Sequence, residues 1–187
     1  MKDTLKLKDA YYSIESMTRV PAKLNLKKLD IIEEKNGFRQ GEFTKNYSIE
    51  NLKGGKSNFK EVLGNKKYLL IDFWGTWCGP CKDLTPDIVV LHKEYKDNIS
   101  FMSLAFEKDI KPVIDYVEKN KMDWFNGIIK GVPKSNDKSN EIISGLRIEC
   151  YPTFMLLNRD LKIVYRNCGG GSGFTDLKMF LNKYNDI

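Results

Sequence analysis

The sequence predicts an α/β domain with three layers, in which helices cover both faces of a mixed central sheet. Two apolar runs, residues 68–74 and 99–106, are typical of strands buried on both faces of a parallel sheet. A helical repeat of apolar residues lies between them, and a second helical segment opens at Pro112. This order of elements predicts a parallel βαβ unit with a right-handed crossover. A hairpin predicted near the C-terminus adds antiparallel strands, which makes the sheet mixed.

The composition argues against several classes of protein. Of the 187 residues, 41% are hydrophobic and 12% are aromatic, which fits one globular domain with a full core. The net charge is +6, but the lysines are spread along the chain without a run of five basic residues. A solvated surface is therefore favoured over a nucleic-acid partner. No apolar run approaches the roughly 18 residues of a membrane span, so none is predicted.

The chain is predicted to consist of an N-terminal extension, residues 1–41, and a main domain, residues 42–187. Gly37 and Gly41 mark the boundary, and the extension shows little periodicity. The first residues are charged throughout and lack the apolar core of a secretory signal. Either the protein is cytoplasmic, or Met1 replaces a removed leader and the protein belongs to the cell envelope or periplasm.

The first half of the main domain shows clear local signals. A strand is predicted around 43–49, a turn at 52–55 and a short helix over 59–63 that ends at Gly64. After the first buried strand, a long helix is predicted over 78–95. Its buried face is indicated by apolar residues at helical spacing, namely Leu84, Ile88, Leu91 and Tyr95.

The second half contains a predicted mid-domain insertion at 122–145. It is expected to form an exposed polar loop at 133–140 with a short helix on either side. Residues 151–157 and 161–165 then predict a hairpin that turns at Asn158-Arg159-Asp160. After a glycine-rich turn, a last helix is indicated by Phe174, Leu177, Leu181 and Tyr184.

Two cysteines lie where the first buried strand gives way to the long helix. Cys78 and Cys81 are three residues apart, so both fall on the first helical turn and can bond with the helix intact. Backbone N–H groups at a helix N-terminus favour a thiolate, the nucleophilic form of cysteine. Gly79 permits close approach of a partner backbone, and Pro80 stiffens the turn. This arrangement predicts thiol–disulfide exchange, with Cys78 attacking and Cys81 resolving the mixed disulfide.

Asp72 interrupts the apolar strand six residues before Cys78. A carboxylate in such a strand needs a partner or has a raised pKa. We predict that Asp72 accepts the proton of Cys81 during resolution, directly or through a water. The alternative is a carboxylate that only makes local hydrogen bonds.

Residues 72–82, with the sequence DFWGTWCGPCK, resemble the active-site signature of the thioredoxin superfamily. Tyr151-Pro152-Thr153 is similar to the cis-proline loop of that family, and residues from about 43 to 185 follow its order of elements. The segment 55–67 before the strand resembles the TlpA/ResA-like branch, which also carries a mid-domain insertion.

The resemblance implies a thioredoxin fold and a thiol–disulfide oxidoreductase, most simply a reductase of protein disulfides that is recharged by an upstream electron donor. It matches Asp72 to the buried aspartate of the family and Pro152 to the cis-proline, beside which Tyr151 would pair with a substrate strand. Trp74 and Trp77 match the aromatic positions that flank the site. The branch also implies the cell envelope. Two positions depart from the pattern, since Leu84 and Ser103 stand where relatives often carry charged residues.

No cofactor or metal is predicted. The CxxC pair lacks a second CxxC, and the single histidine, His92, is expected on the surface of the long helix. The other two cysteines, Cys150 and Cys168, would face each other across the hairpin. They are interpreted as free thiols in preference to a second disulfide or a regulatory thiol at Cys150.

Two other functions are weighed against the oxidoreductase. A thiol peroxidase usually needs a Thr or Ser and an Arg around one cysteine, and this pattern is missing from the sequence. A non-catalytic binding module would present Trp77, Tyr151 and the insertion to a partner. The presence of Cys78, Cys81 and Asp72 together argues against it.

Overall fold

The computed structural model describes residues 41–131 and 140–183. Within them the chain forms seven strands and five helices. The strands are β1 (Ser48–Asn51), β2 (Lys56–Asn58), β3 (Tyr68–Trp74), β4 (Ile99–Glu107), β5 (Phe125–Lys130), β6 (Thr153–Asn158) and β7 (Ile163–Cys168). The helices are α1 (Phe59–Leu63), α2 (Gly79–Tyr95), α3 (Lys111–Lys119), α4 (Glu141–Gly145) and α5 (Gly171–Lys183).

The strands form one mixed sheet in the order β2-β1-β5-β4-β3-β6-β7. Strand β4 runs parallel to both β3 and β5, and the remaining neighbours are antiparallel. The predicted βαβ unit, mixed sheet and C-terminal hairpin are therefore confirmed. The hairpin turns where predicted, because the Asn158 side-chain oxygen accepts hydrogen bonds from the backbone N–H groups of Asp160 and Lys162.

Helices cover both faces of the sheet, as the α/β prediction requires. Alternate residues of a strand point to opposite faces, so each buried strand contributes side chains to the hydrophobic core on each side of the sheet. One core joins β3 and β4 to α1 and α4, through Phe59, Leu63 and Ile143. On the other face, Leu70 packs with Leu84, Ile88 and Leu91 of α2 and with Leu177 and Leu181 of α5.

Helix α1 shows how local sequence sets an element's ends. The side chain of Asn58 accepts a hydrogen bond from the Glu61 N–H and so caps the first turn. Gly64 follows with a positive φ of 57°, and its N–H donates to the Lys60 carbonyl. The predicted helix at 59–63 is confirmed at both ends.

The structure corrects the prediction for the first part of the mid-domain insertion. In place of a short helix, the segment that begins at Phe125 forms β5 and pairs in parallel with β4, Ala105 opposite Ile128. The short helix predicted on the other side is present as α4, and its first turn is capped by Asn140. Strand β2, which the sequence analysis assigned to no element, pairs antiparallel with β1.

Three predictions concern residues that the structure does not describe. The extension lies outside the described residues up to residue 40, as does the polar loop over 132–139. Tyr184, expected on the last helix, is also outside them. The boundary between the extension and the main domain stays a prediction.

Candidate active site

Cys78 and Cys81 form a disulfide at the point where β3 leads into α2. The S–S distance is 2.03 Å and the Cα atoms are 5.3 Å apart. Cys78 is the N-cap residue of α2, and its sulfur accepts a hydrogen bond of 3.2 Å from the Cys81 backbone N–H. A helix N-terminus therefore points at the Cys78 sulfur, which is the environment that stabilises a thiolate.

The loop that carries Cys78 is anchored to the end of β4. The backbone N–H of Thr76 donates to the Glu107 carboxylate over 2.7 Å, and the indole N–H of Trp77 donates to the Phe106 carbonyl over 2.9 Å. The Trp77 ring folds back so closely over Gly75 that a Cβ there would lie 2.3 Å from the indole nitrogen. Glycine at position 75 thus lets Trp77 turn toward β4 while 45% of Trp77 stays exposed.

Asp72 is buried on β3, on the face that α2 covers. Leu70 and Trp74, its neighbours on the same face, pack with Leu84 and with Cys81 of α2, respectively. On the next strand Ser103 stands directly opposite, and its hydroxyl lies 3.4 Å from a carboxylate oxygen of Asp72. Burial raises the pKa of Asp72 to about 7, and the Ser103 hydroxyl acts in the opposite direction.

The loop before β6 lies beside the dithiol turn, although it is some seventy residues away in the sequence. The Tyr151–Pro152 peptide bond is cis. The Tyr151 ring meets the Trp77 ring edge to face, with the centroids 5.0 Å apart. The Pro152 carbonyl accepts from the Gly169 N–H over 2.9 Å, and a Cβ on Gly170 would lie 3.3 Å from the Pro80 Cβ. The structure therefore brings the predicted site residues of both segments together.

Known proteins resemble this chain in sequence and in fold. The Thioredoxin family model matches residues 50–117. The thioredoxin-like protein YneN of Bacillus subtilis (strain 168) is 35% identical over 125 residues, which are 65% of this chain and 67% of that protein. The chain belongs to the thioredoxin family.

Further relatives are named as thiol–disulfide oxidoreductases. The thiol-disulfide oxidoreductase ResA of Bacillus cereus (strain ZK / E33L) is 26% identical over 137 residues, 73% of each protein. A thiol-disulfide oxidoreductase from Bacteroides fragilis NCTC 9343 superposes with a TM-score of 0.62 at 25% identity, over 75% of this chain and all of that one. The chain is thus a thioredoxin-like thiol–disulfide oxidoreductase of the TlpA/ResA-like kind.

This thioredoxin-family site includes one contact that the sequence does not predict, between Trp124 and Ser103. The indole N–H of Trp124 donates to the Ser103 hydroxyl over 2.9 Å. In the sequence, Ser103 is notable only as a departure from the family pattern and as a polar residue inside an apolar run. The structure shows that it stands opposite Asp72 in the sheet. No comparable signal marks Trp124, because its link to Ser103 depends on tertiary packing.

His92 is not the surface residue that the sequence predicts. Only 13% of its side chain is exposed, because the ring packs against Phe101 and Trp124 with centroid distances of 5.0 and 4.9 Å. Its Nδ1 lies 3.2 Å from a carboxylate oxygen of Asp123. Burial lowers the pKa of His92, and the Asp123 carboxylate opposes that shift.

The structure pairs Cys150 with Cys168, which favours a second disulfide over the free thiols that the sequence predicts. Their Cα atoms are 6.1 Å apart, within the range of bonded cysteines. Cys168 stands opposite Thr153, the first residue of β6, so Cys150 lies outside the ladder and the prediction that the two cysteines face each other across the hairpin strands is wrong.

The described residues hold no cluster of three or more His, Cys, Asp or Glu side chains arranged for a metal ion. Over the same part of the chain, no helix combines the length and the apolar character that a membrane span needs.

Proposed function

We propose that the protein reduces disulfide bonds of protein substrates, with Cys78 as the nucleophile and Cys81 as the resolving thiol. The observation that carries this proposal is the position of the Cys78 sulfur, which caps α2 and accepts the Cys81 N–H while bonded to Cys81. The N-cap position distinguishes Cys78 from Cys81, which lies inside the first turn.

In the first step the Cys78 thiolate attacks one sulfur of a substrate disulfide. The substrate S–S bond breaks, and its other sulfur leaves as a thiolate that takes a proton from solvent. Cys78 is then held in a mixed disulfide. The helix N-terminus stabilises the Cys78 thiolate and so keeps the attacking sulfur ionised.

In the second step the Cys81 thiol gives its proton to Asp72, directly or through a water, and attacks the Cys78 sulfur. The mixed disulfide breaks and the second substrate thiolate leaves, so two electrons have passed to the substrate. Asp72 suits this role because it faces α2 and has a pKa of about 7, close to the pH at which a general base works best.

The substrate strand is proposed to dock on the exposed rim around the dithiol. Trp77 provides an exposed aromatic surface, and Gly79 and Pro80 are exposed on the first turn of α2. Tyr151 packs on Trp77, and its backbone precedes Pro152, so an extended peptide has main-chain groups to pair with at this point. Gly79 has open space around it, which allows a substrate backbone to approach.

An upstream dithiol donor reduces the Cys78–Cys81 disulfide back to two thiols and is itself oxidised to a disulfide. We place this cycle in the cell envelope. The second disulfide, Cys150–Cys168, supports that placement, because disulfides persist in oxidising compartments and are rare in the cytosol.

Reduction of insulin with dithiothreitol as donor tests the proposal. Cys78→Ser is expected to abolish the reaction, since no nucleophile remains, and Cys81→Ser to accumulate a mixed disulfide visible by mass spectrometry. Ser100→Ala, on β4 away from the cysteines, serves as the control and keeps wild-type activity. Activity that survives in Cys78→Ser, or hydroperoxide turnover far above disulfide reduction, overturns the proposal.

A further inference from the structure

We propose that Trp124 is a positioning residue of the active site, which directs the Ser103 hydroxyl proton onto the Asp72 carboxylate. The inference rests on the proposed role of Asp72 as the proton acceptor for Cys81. It deepens that role by naming what sets the affinity of Asp72 for a proton.

The direction of the hydrogen bonds follows from the chemistry of the three groups. An indole N–H can only donate, so in the 2.9 Å contact between Trp124 and Ser103 the hydroxyl oxygen must accept. The single hydroxyl proton of Ser103 is then free for one acceptor. A carboxylate oxygen of Asp72, which only accepts when ionised, lies 3.4 Å away. Trp124 thereby orients a long hydrogen bond that the serine alone would hold loosely.

Packing holds Trp124 in this position. Its ring contacts His92 of α2 at 4.9 Å and Phe101 of β4 at 6.1 Å, measured between centroids. Trp124 directly precedes β5, whose first residue, Phe125, pairs with Met102 of β4. The segment that turns from α3 into β5 thus delivers a donor to the centre of the sheet.

The surroundings of Asp72 leave the Ser103 hydroxyl as the group best placed to favour the charged form. The titratable groups on the face of α2 are Cys78 and Cys81, which are joined in the oxidised protein. On β6 the residue opposite is Phe154, and on β4 it is Ser103. His92 contacts the Trp124 ring and is paired with Asp123. Burial favours the protonated acid, and the Ser103 hydroxyl opposes it.

The test is the pKa of Asp72, measured by carbon NMR titration of its carboxyl group in the oxidised protein. Ser103→Ala is expected to raise this pKa by about one unit, the effect of losing a hydrogen bond to a charged acceptor. Trp124→Phe keeps the aromatic packing but removes the donor, and is expected to raise the pKa by a smaller amount. In the double variant the pKa should rise no further than in Ser103→Ala, because Trp124 acts only through Ser103.

Ser100→Ala is the matched control, since it removes another serine hydroxyl of β4 that bonds to the Leu63 carbonyl, and it should leave the Asp72 pKa unchanged. A second readout needs no tryptophan variant. The Trp124 indole N–H resonance should shift as Asp72 titrates, and this shift should vanish in Ser103→Ala.

An unchanged Asp72 pKa in Trp124→Phe, or an indole resonance that ignores the titration, overturns the inference. The pH profile of insulin reduction in the same variants tests the proposed function separately. If the pKa of Asp72 moves as expected and the profile does not follow it, Trp124 positions Ser103 but Asp72 is not the proton acceptor.

Discussion

At the scale of single residues, Asp72 combines a structural cost with a chemical use. It occupies a strand whose other positions are apolar, and 5% of it is exposed. In the folded protein, burial raises the pKa of the Asp72 carboxyl group to about 7. In the unfolded chain an aspartate releases its proton near pH 4. The same residue that is proposed to take the Cys81 proton therefore links the stability of the fold to pH.

The sign of this linkage is a decrease of stability with rising pH. Between about pH 4 and the folded pKa of about 7, the unfolded chain binds fewer protons at Asp72 than the folded protein does, so raising the pH favours unfolding. The contribution is complete below pH 4 and is lost as the pH rises through about 7, and it amounts to about 4 kcal/mol. Asp72→Asn should remove it.

Urea unfolding of wild type and Asp72→Asn between pH 4 and pH 8 measures this effect. As the pH rises across that window, the free energy of unfolding of the variant should increase relative to that of the wild type. The difference should level off above pH 7. A difference between the two proteins that does not depend on pH would contradict the buried, proton-holding state of Asp72.

At the scale of elements, β5 joins the antiparallel pair of β1 and β2 to the parallel strands β3 and β4. It pairs with β4 on one side and with β1 on the other. The close fit centres on Gly127, where a Cβ would lie 2.6 Å from the Ile49 Cγ2 and 2.9 Å from a Leu104 methyl carbon. Both neighbours are fully buried, so neither has space to move away.

Gly127→Ala is therefore expected to lower the free energy of unfolding by about 1–3 kcal/mol through overpacking. Gly171→Ala, at the exposed start of α5, has no atom within 4 Å of the added Cβ and should change stability by less than about 0.5 kcal/mol. Urea unfolding curves of the two variants make the comparison. Equal stabilities would show that β5 packs more loosely than described.

At the scale of the whole molecule, a covalent link spans the C-terminal hairpin beside the active site. The Cys150–Cys168 disulfide closes a loop with a sequence separation of 18 and joins the loop before β6 to the end of β7. It braces the backbone on which Tyr151 and Pro152 lie. A cross-link of this loop length stabilises a fold by about 3 kcal/mol, mainly through the unfolded state.

Replacing either Cys150 or Cys168 by alanine should cost about that much in urea unfolding without reductant. The double variant should lose no more than either single one, because all three lack the same bond. Alkylation of the unreduced wild-type protein, read by mass spectrometry, provides the direct check. Two modified thiols at these positions would contradict the bridge.

Local signals explain what the sequence predicted. The apolar run at 68–74, the helical repeat over 78–95 and the asparagine and glycine residues around α1 act within a few residues of themselves. The signals of the CxxC pair and of the helix start are equally local, so the sequence predicts the centre of the site. Tyr151 and Pro152 were reached through resemblance to the family, since no local pattern connects them with Cys78.

The missed features depend on contacts between distant segments. Residues 124–129 lack the alternation of a typical strand, and β5 forms because β4 offers it a parallel edge. The burial of His92 follows from the position of Trp124, which only the turn into β5 determines. Likewise, the approach of Cys150 to Cys168 depends on the path of the loop before β6, which lies outside the hairpin ladder.

The backbone of residues 41–44 runs along the outer edge of β7. Gly41 donates to the Ile163 carbonyl, Ile163 donates to the Glu42 carbonyl, and Thr44 donates to the Leu161 carbonyl. At the opposite edge, β2 is three residues long and partly exposed, with a lysine at its start. Covered or short, charged edges resist the addition of foreign strands, the route to aggregation in β-rich proteins. Both edges of the sheet that the structure describes are thus protected against the addition of a second copy, whereas the substrate strand is proposed to pair at the loop that carries Tyr151.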